Sequence, residues 1–404
     1  ARPTRRSSPE GREPQPGSIV EQSEDADLKI LTATFNNGIK IHARSMDFKK
    51  DQVLLSVTLG GGKIRETAAS RGISDAAALA LSQAASEKLP STLIREMMTG
   101  LNVSVSGGAG DDALSLSIHG SPKDLEEGLK LAHLLLTQGR IEESALNVWK
   151  ESTAQALQQR KTSVEAQLME RVNALLTDND PRSLTITFDQ LNQLKLDASQ
   201  KWLEQTLKFA PVEVAIVGDI DRDVAVKLAA KYLGSLPMRP TLDAEIVKLR
   251  KLGPKKGPFE QVVEVETITP RAVVLSGWRG ADWVDVKDRR VLQLAAQILT
   301  SRLREEIREK RSLTYSIGCM AQPARVFDGT GIFAAYFTAD PQKAADAAKI
   351  TREVMEKFAQ EGPTDDEIDA TRKQIRNQLE TTMKEPSYWL GVLSDLDYRG
   401  TKLS

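Results

Sequence analysis

Cysteine occurs once in the 404 residues, at Cys319. A lone thiol excludes an intrachain disulfide and a cysteine-built zinc or iron–sulfur site. Histidine is nearly as scarce, with only His42, His119 and His133 available as proton shuttles or metal ligands. No apolar run approaches the ~18 residues that would suggest a membrane-spanning helix. Neither charge sign is in excess: 55 Lys and Arg face 56 Asp and Glu, a formal net charge of −1. That balance removes the usual electrostatic case for a nucleic-acid or anionic-membrane partner. What remains is ordinary for a globular protein, 40% hydrophobic and 27% charged, and long enough for two domains.

The chain starts at Ala1, as a processed protein or a piece of a longer one would. Residues 1–24 open with ARPTRRSSPEGREPQPG, which holds four prolines and no large apolar residue. Too little surface can be buried there to offset the entropy of ordering it, so the stretch reads as a disordered linker. It also lacks the apolar core of a signal peptide.

Residues 25–238 read as a first α+β domain. Two alternating runs flank Asn36-Asn37-Gly38, a hairpin signal in which Asn and Gly both suit the positive φ of a primed turn. Val53–Leu59 is strand-like and ends in Gly60-Gly61-Gly62. Helical patterning then runs from Ile73 to Met98, and LNVSVSGG with ALSLSIHG alternate as another antiparallel pair. Ser121-Pro122 looks like a helix start. Helical patterning follows from about Glu142 to Leu176 and around Trp202, before the buried strand VEVAIVGD and a last helix ending in KYLGSLP. Residues 239–257, rich in proline and lysine, read as an interdomain linker.

Residues 258–404 repeat that grammar. Strands VVEVET and AVVLSGW precede a helix from Lys287 to about Lys310; strands LTYSIGCMAQ and GTGIFAAYFTAD and two helices follow. Thr364 and Glu367 fit a capping box at the start of the last long helix. The expected architecture is α+β twice over, an antiparallel sheet packed against helices in each domain, with the second copy looking truncated at Ser404.

Residues 212–237, VEVAIVGDIDRDVAVKLAAKYLGSLP, resemble the insulinase/pitrilysin family of zinc peptidases. SRLREEIREKRSLTYSI at 301–317 is similar to a second stretch of the same family. The two come in the family's order, and the resemblance covers roughly residues 25 to 404. It looks nearest to the C-terminal, non-catalytic half of the long fused bacterial members, and implies half of an insulinase-like clamshell.

The family's chemistry needs H-x-x-E-H on a helix: two histidines and a distant glutamate bind zinc, and the motif glutamate activates water. Here Asp75 stands at the first His position, Ala78 at the Glu and Leu79 at the second His. Two ligands and the general base are therefore missing. Glu151, 76 residues after Asp75, falls near the distal glutamate but is equally a common exposed helix residue. The three histidines lie apart in sequence and read as packed or surface residues. No metal is expected in this chain, and the resemblance puts the zinc in a partner catalytic half.

The resemblance also implies that Arg308 and Tyr315, seven residues apart, contact substrate. Arg offers planar charged donors to peptide carbonyls, and a tyrosine hydroxyl can stabilise an oxyanion. Spacing alone fits equally a solvated helix end and a strand residue. Gly60-Gly61-Gly62-Lys63 fails as a phosphate loop, because Val57 stands where Gly is needed and Ile64 where Ser or Thr is needed. Two readings follow. The first is the non-catalytic half of a zinc metalloendopeptidase, closing a peptide chamber with a catalytic half on the same polypeptide or a second subunit. The alternative is a purely structural or interaction member of the family. The family's exported members imply the periplasm, and one cysteine fits the cytoplasm as well.

Overall fold

The computed structural model describes residues 14–240, 244–253 and 257–403, apart from the side chain of Tyr315. Its larger sheet has seven strands: β1 (Ile19–Asp25), β2 (Ile30–Phe35), β3 (Lys40–Ser45), β4 (Val53–Gly60), β5 (Val103–Ala109), β6 (Ala113–Gly120) and β7 (Val212–Gly218). Their order is β1-β2-β3-β7-β4-β6-β5, with β3 and β7 parallel and every other pair antiparallel. Part of the expected leading linker is thus ordered: Ile19–Asp25 pairs with β2 as an edge strand, its exposed Glu21, Glu24 and Asp25 discouraging further pairing. Residues 1–13 lie outside the described residues.

The β2–β3 hairpin forms at the expected place with a different turn. The N–H groups of Phe35 and Gly38 bond the carbonyls of Ile39 and Phe35, and only Gly38 has positive φ. This is a three-residue loop ending in a left-handed glycine rather than a primed two-residue turn. Gly218 of the VGD run has φ +142°, and a Cβ there would meet the Gln52 carbonyl oxygen at 2.2 Å. The glycine lets β7 end against β4.

Helices α1 (Ile73–Ser82) and α2 (Ser91–Met98) divide the first helical run, broken at Ala84, which has positive φ, and at Pro90. Helix α3 (Leu125–Gln138) starts three residues beyond the expected Ser-Pro position, after a turn in which the Asp124 N–H bonds the Ser121 hydroxyl. Then come α4 (Glu143–Arg160), α5 (Val164–Leu176), α6 (Phe188–Gln193), α7 (Leu196–Phe209) and α8 (Arg222–Tyr232). Leu55, Val57, Val214, Ile216 and Ile41 point to one face of the sheet, into a core shared with α1, α3, α7 and α8.

Within the expected interdomain linker lies α9 (Ala244–Leu249), its Ile246 fully buried against Ile64, Phe327 and Tyr398. The second sheet has three antiparallel strands, β8 (Ala272–Arg279), β9 (Thr314–Gln322) and β10 (Ile332–Ala339), in the order β8-β10-β9. The expected VVEVET strand does not form. It alternates correctly, but Val263 on its apolar side is exposed, Val265 is only half-buried, and the run pairs with no strand among the described residues. Helices α10 (Val286–Leu303), α11 (Ala344–Glu361) and α12 (Asp365–Thr382) pack on this sheet around Leu299, Phe337 and Phe358. The Thr364–Glu367 capping box is present.

The two units trade cover. From the first, α5 brings Leu176 and Val172 onto Ile332, Ala334 and Leu275 of the small sheet. From the end of the chain, α13 (Pro386–Leu393) lays Trp389 and Leu393, with Leu396 just beyond, over Ile30, Ala215 and Val217 on the second face of the large sheet. That is why β4 and β7 are buried at every residue. A boundary drawn at 258–404 therefore misplaces the last helix, which completes the first unit. An ionic cluster fixes the return: Arg399 binds both carboxylate oxygens of buried Asp112 at 2.9 and 3.0 Å, Arg250 adds a third contact at 3.2 Å, and Arg325 meets Asp395 at 2.7 Å.

Candidate functional site

The start of α1 is built with unusual care. Glu66, fully buried, accepts the N–H groups of Gly72 and Ser74 at 3.0 Å each and pairs with the Arg71 guanidinium. Its carboxylate therefore satisfies donors that a helix start leaves free, and complements the helix dipole. Arg71 also donates to the Leu184 carbonyl at 2.7 and 2.9 Å, tying this corner to the loop before α6. Gly72 has φ +88°, and a Cβ would strike Ile186 Cδ1 at 2.4 Å.

From this corner Asp75, in the first turn of α1, faces a cleft of about 520 Å³ between the two units. Met169 and Leu176 of α5, Arg182, and the β9–β10 loop with Phe327 line the other walls. The nearest cation, Lys63, holds its Nζ 3.7 Å from Asp75 and 3.9 Å from Asp111. Burial outweighs Lys63 and raises the Asp75 pKa above the ordinary carboxylate value. Arg182 is occupied by both oxygens of Asp180, at 2.8 Å each.

Ala78 and Leu79 turn the other way, buried in the core beneath the sheet. Neither has a ligand atom, so the residues at the α1 motif do not fit a zinc ion, and Asp75 alone cannot hold one. Glu151 is exposed on α4. The histidines are not brought together: His119 is exposed on β6, His133 Nδ1 is 2.7 Å from the Tyr232 carbonyl, and His42 is buried in β3. Burial pushes the Cys319 thiol up to about 12, which removes it as a nucleophile.

Arg308 lies in a π-helical turn, Arg304–Glu309, that widens the end of α10. The wider turn keeps Ile307 in the core and leaves Arg308 exposed, with no hydrogen bond or ion pair among the described residues. Its neighbours are engaged: Arg302 with Glu367, and Lys310 with Glu305 and Glu306. Tyr315 belongs to β9, but its side chain lies outside the described residues. The Asp75 cleft is reached by the opposite end of β9, at Gln322, about 23 Å away at ~3.3 Å per residue. The fold thus separates Arg308 from the α1 corner of its own chain.

Residues 193–375 match the family model described as the peptidase M16 inactive domain. Over that stretch, somewhat under half of its length, the chain is similar to the peptidase M16 family. It is similar to a zinc protease PQQL-like protein of Arabidopsis thaliana, 22% identical over 394 residues, covering 93% of this chain and 38% of the relative. The chain therefore spans well under half the length of that relative. In fold it is similar to the periplasmic protease PqqL from Escherichia coli, with TM-score 0.81 and 18% identity over 98% of this chain and 43% of that one. It is also similar to a peptidase M16 inactive domain from Pseudomonas fluorescens, with TM-score 0.76 and 19% identity over 93% and 90% of the two chains. The M16 inactive-domain match runs from the end of α6 through α9 to within α12, across the stretch that looked like a linker.

Sequence reading missed Lys63, Asp111 and Arg182 around the cleft, and a cluster of His42, Glu213 and Asp397 on the far face of the large sheet. The cleft residues carry no periodic signal. The cluster left one: Glu213 interrupts a strand, β7, that is otherwise apolar.

Proposed function

We propose that this chain is the non-catalytic half of an M16 zinc endopeptidase. It closes a peptide-sized chamber against a catalytic half that carries H-x-x-E-H and the zinc, on the same polypeptide or a separate subunit. Arg308 carries the reading: an exposed guanidinium without a partner among the described residues, held on a widened helix end that the core packing of Ile307 fixes. Such a group is pre-positioned to bind peptide carbonyls, and Tyr315, seven residues on, supplies a hydroxyl for an oxyanion. The α1 motif supports the same division of labour, because core residues stand at the general-base and second-ligand positions. The E. coli relative points to the periplasm as the compartment.

The test is reconstitution. This chain mixed with a catalytic M16 half should raise cleavage of a quenched unstructured peptide. Arg308→Ala should lower kcat/KM by at least tenfold, and Tyr315→Phe should lower kcat more than it raises KM. Cleavage equally stimulated by both variants would leave a purely structural subunit as the better reading.

A further inference from the structure

We propose that His42, Glu213 and Asp397 form a divalent transition-metal site on the face of the large sheet opposite α1. The three residues come from β3, β7 and the segment following α13. Strands β3 and β7 run parallel, with Lys40 opposite Glu213 and His42 opposite Ala215, so both side chains point away from the main core. His42 Nε2 lies 3.0 Å from Glu213 Oε1 and 3.0 Å from Asp397 Oδ2. Among the described residues, this is the one grouping of three such side chains with ligand atoms this close together.

The spacing has a specific meaning. At 3.0 Å, His42 Nε2 and either carboxylate oxygen would subtend about 90° at an ion ~2.1 Å from each, a cis octahedral angle; tetrahedral zinc would want them nearer ~3.4 Å. One imidazole with two carboxylates suits Mn²⁺, Fe²⁺, Co²⁺ or six-coordinate Zn²⁺, with water completing the shell, better than it suits Ca²⁺ or Mg²⁺. The outer shell is built as metal sites usually are. Thr32 Oγ1 lies 2.9 Å from His42 Nδ1 and fixes the ring. The Tyr398 N–H holds Glu213 Oε2 at 2.9 Å, and Lys40 holds Asp397 Oδ1 at 3.0 Å. His42 and Glu213 are buried while Asp397 is exposed, which gives an ion and its waters a path in.

Without an ion, a proton on His42 Nε2 holds the two carboxylates together. Burial alone would lower the His42 pKa, but the hydrogen bonds to Asp397 and Glu213 outweigh it and raise it. The same pairing, with Lys40, holds Asp397 down to about 2. An ion would take the place of that hydrogen-bonded bridge between the carboxylates. Bound there, it would pin the end of the chain to the large sheet.

Calorimetric titration of the chelator-treated chain with Mn²⁺, Co²⁺ and Zn²⁺ tests this. The expected result is one saturable ion per chain and a raised Tm. Asp397→Asn, a change at an exposed side chain, should weaken affinity at least tenfold with the circular dichroism unchanged. His42→Ala should abolish binding, and His119→Ala should leave it intact. No saturable binding, or binding indifferent to Asp397→Asn, overturns the site and leaves an ion-paired strap. Neither result depends on peptidase partners, so the proposal fails or stands apart from the proposed function.

Discussion

The two sheets differ in who covers them. The seven-stranded sheet takes helices from its own unit on one face and the last helix of the chain on the other. The three-stranded sheet takes α10–α12 on one face and borrows α5 from the first unit. Neither unit is closed by itself, although each looks like a domain when the chain is read in order. Exchanged cover makes the interface part of both cores and ties the two units to each other.

Removing that exchange is the harshest test. Deleting residues 383–404 would strip α13 and the Asp112 partner Arg399, exposing Ile30, Ala215 and Val217. The shortened chain should aggregate or lose its cooperative melting transition, read by calorimetry; an unchanged transition would mean the units are independent after all. Trp389→Ala removes one residue of the cover and should cost about 3–5 kcal/mol, as for large core truncations, measured by urea unfolding. Asp112→Ala leaves Arg399 buried beside only Asp395, and should cost about 3–5 kcal/mol. Trp389→Ala and Asp112→Ala should add less than independently, since both loosen the same strap.

The small unit offers a milder contrast. Arg302 hydrogen-bonds Glu367 and holds its carboxyl down to about 2, with Thr364 helping. A depressed carboxyl pKa contributes stability that is complete above the unfolded value near 4.5 and is lost as pH falls towards 2. Unfolding followed between pH 6 and pH 2 should therefore show an acid loss that Glu367→Gln reduces. The pair is partly exposed, so the effect should be smaller than that of the buried Asp112 cluster. Smallest of all is Arg308→Ala, which should change stability by no more than about 0.5 kcal/mol, because its guanidinium is exposed and makes no hydrogen bond or ion pair among the described residues.

Much of the fold was legible because it rests on local signals. Alternation gave β2–β6, the apolar run at Val212–Gly218 gave a buried strand, and Thr364 with Glu367 marked a helix start. Failures came where cover decides. The Val262–Thr267 run alternates like a strand yet pairs with none among the described residues, while Ile19–Asp25 has little apolar character yet pairs with β2. Trade between units leaves no local trace, and nothing in the sequence around Trp389 marks it as cover for the other unit's sheet. At the candidate site, the substitutions at Asp75, Ala78 and Leu79 were visible as residue types. The Asp75 cleft was not, because its walls come from segments over 250 residues apart, Asp75 and Phe327 among them. Glu213 could be seen as a lone charge in an apolar strand, but its partners His42 and Asp397 are joined to it only by the fold.

The central claim is that this chain assists peptide cleavage without performing it. Hydrolysis of a quenched unstructured peptide by the purified chain, in saturating Zn²⁺, with and without a catalytic M16 half, tests that most directly. The account predicts no turnover by the chain alone, even with an ion at His42, and stimulated turnover with the partner that Arg308→Ala removes. Turnover by the isolated chain would contradict it.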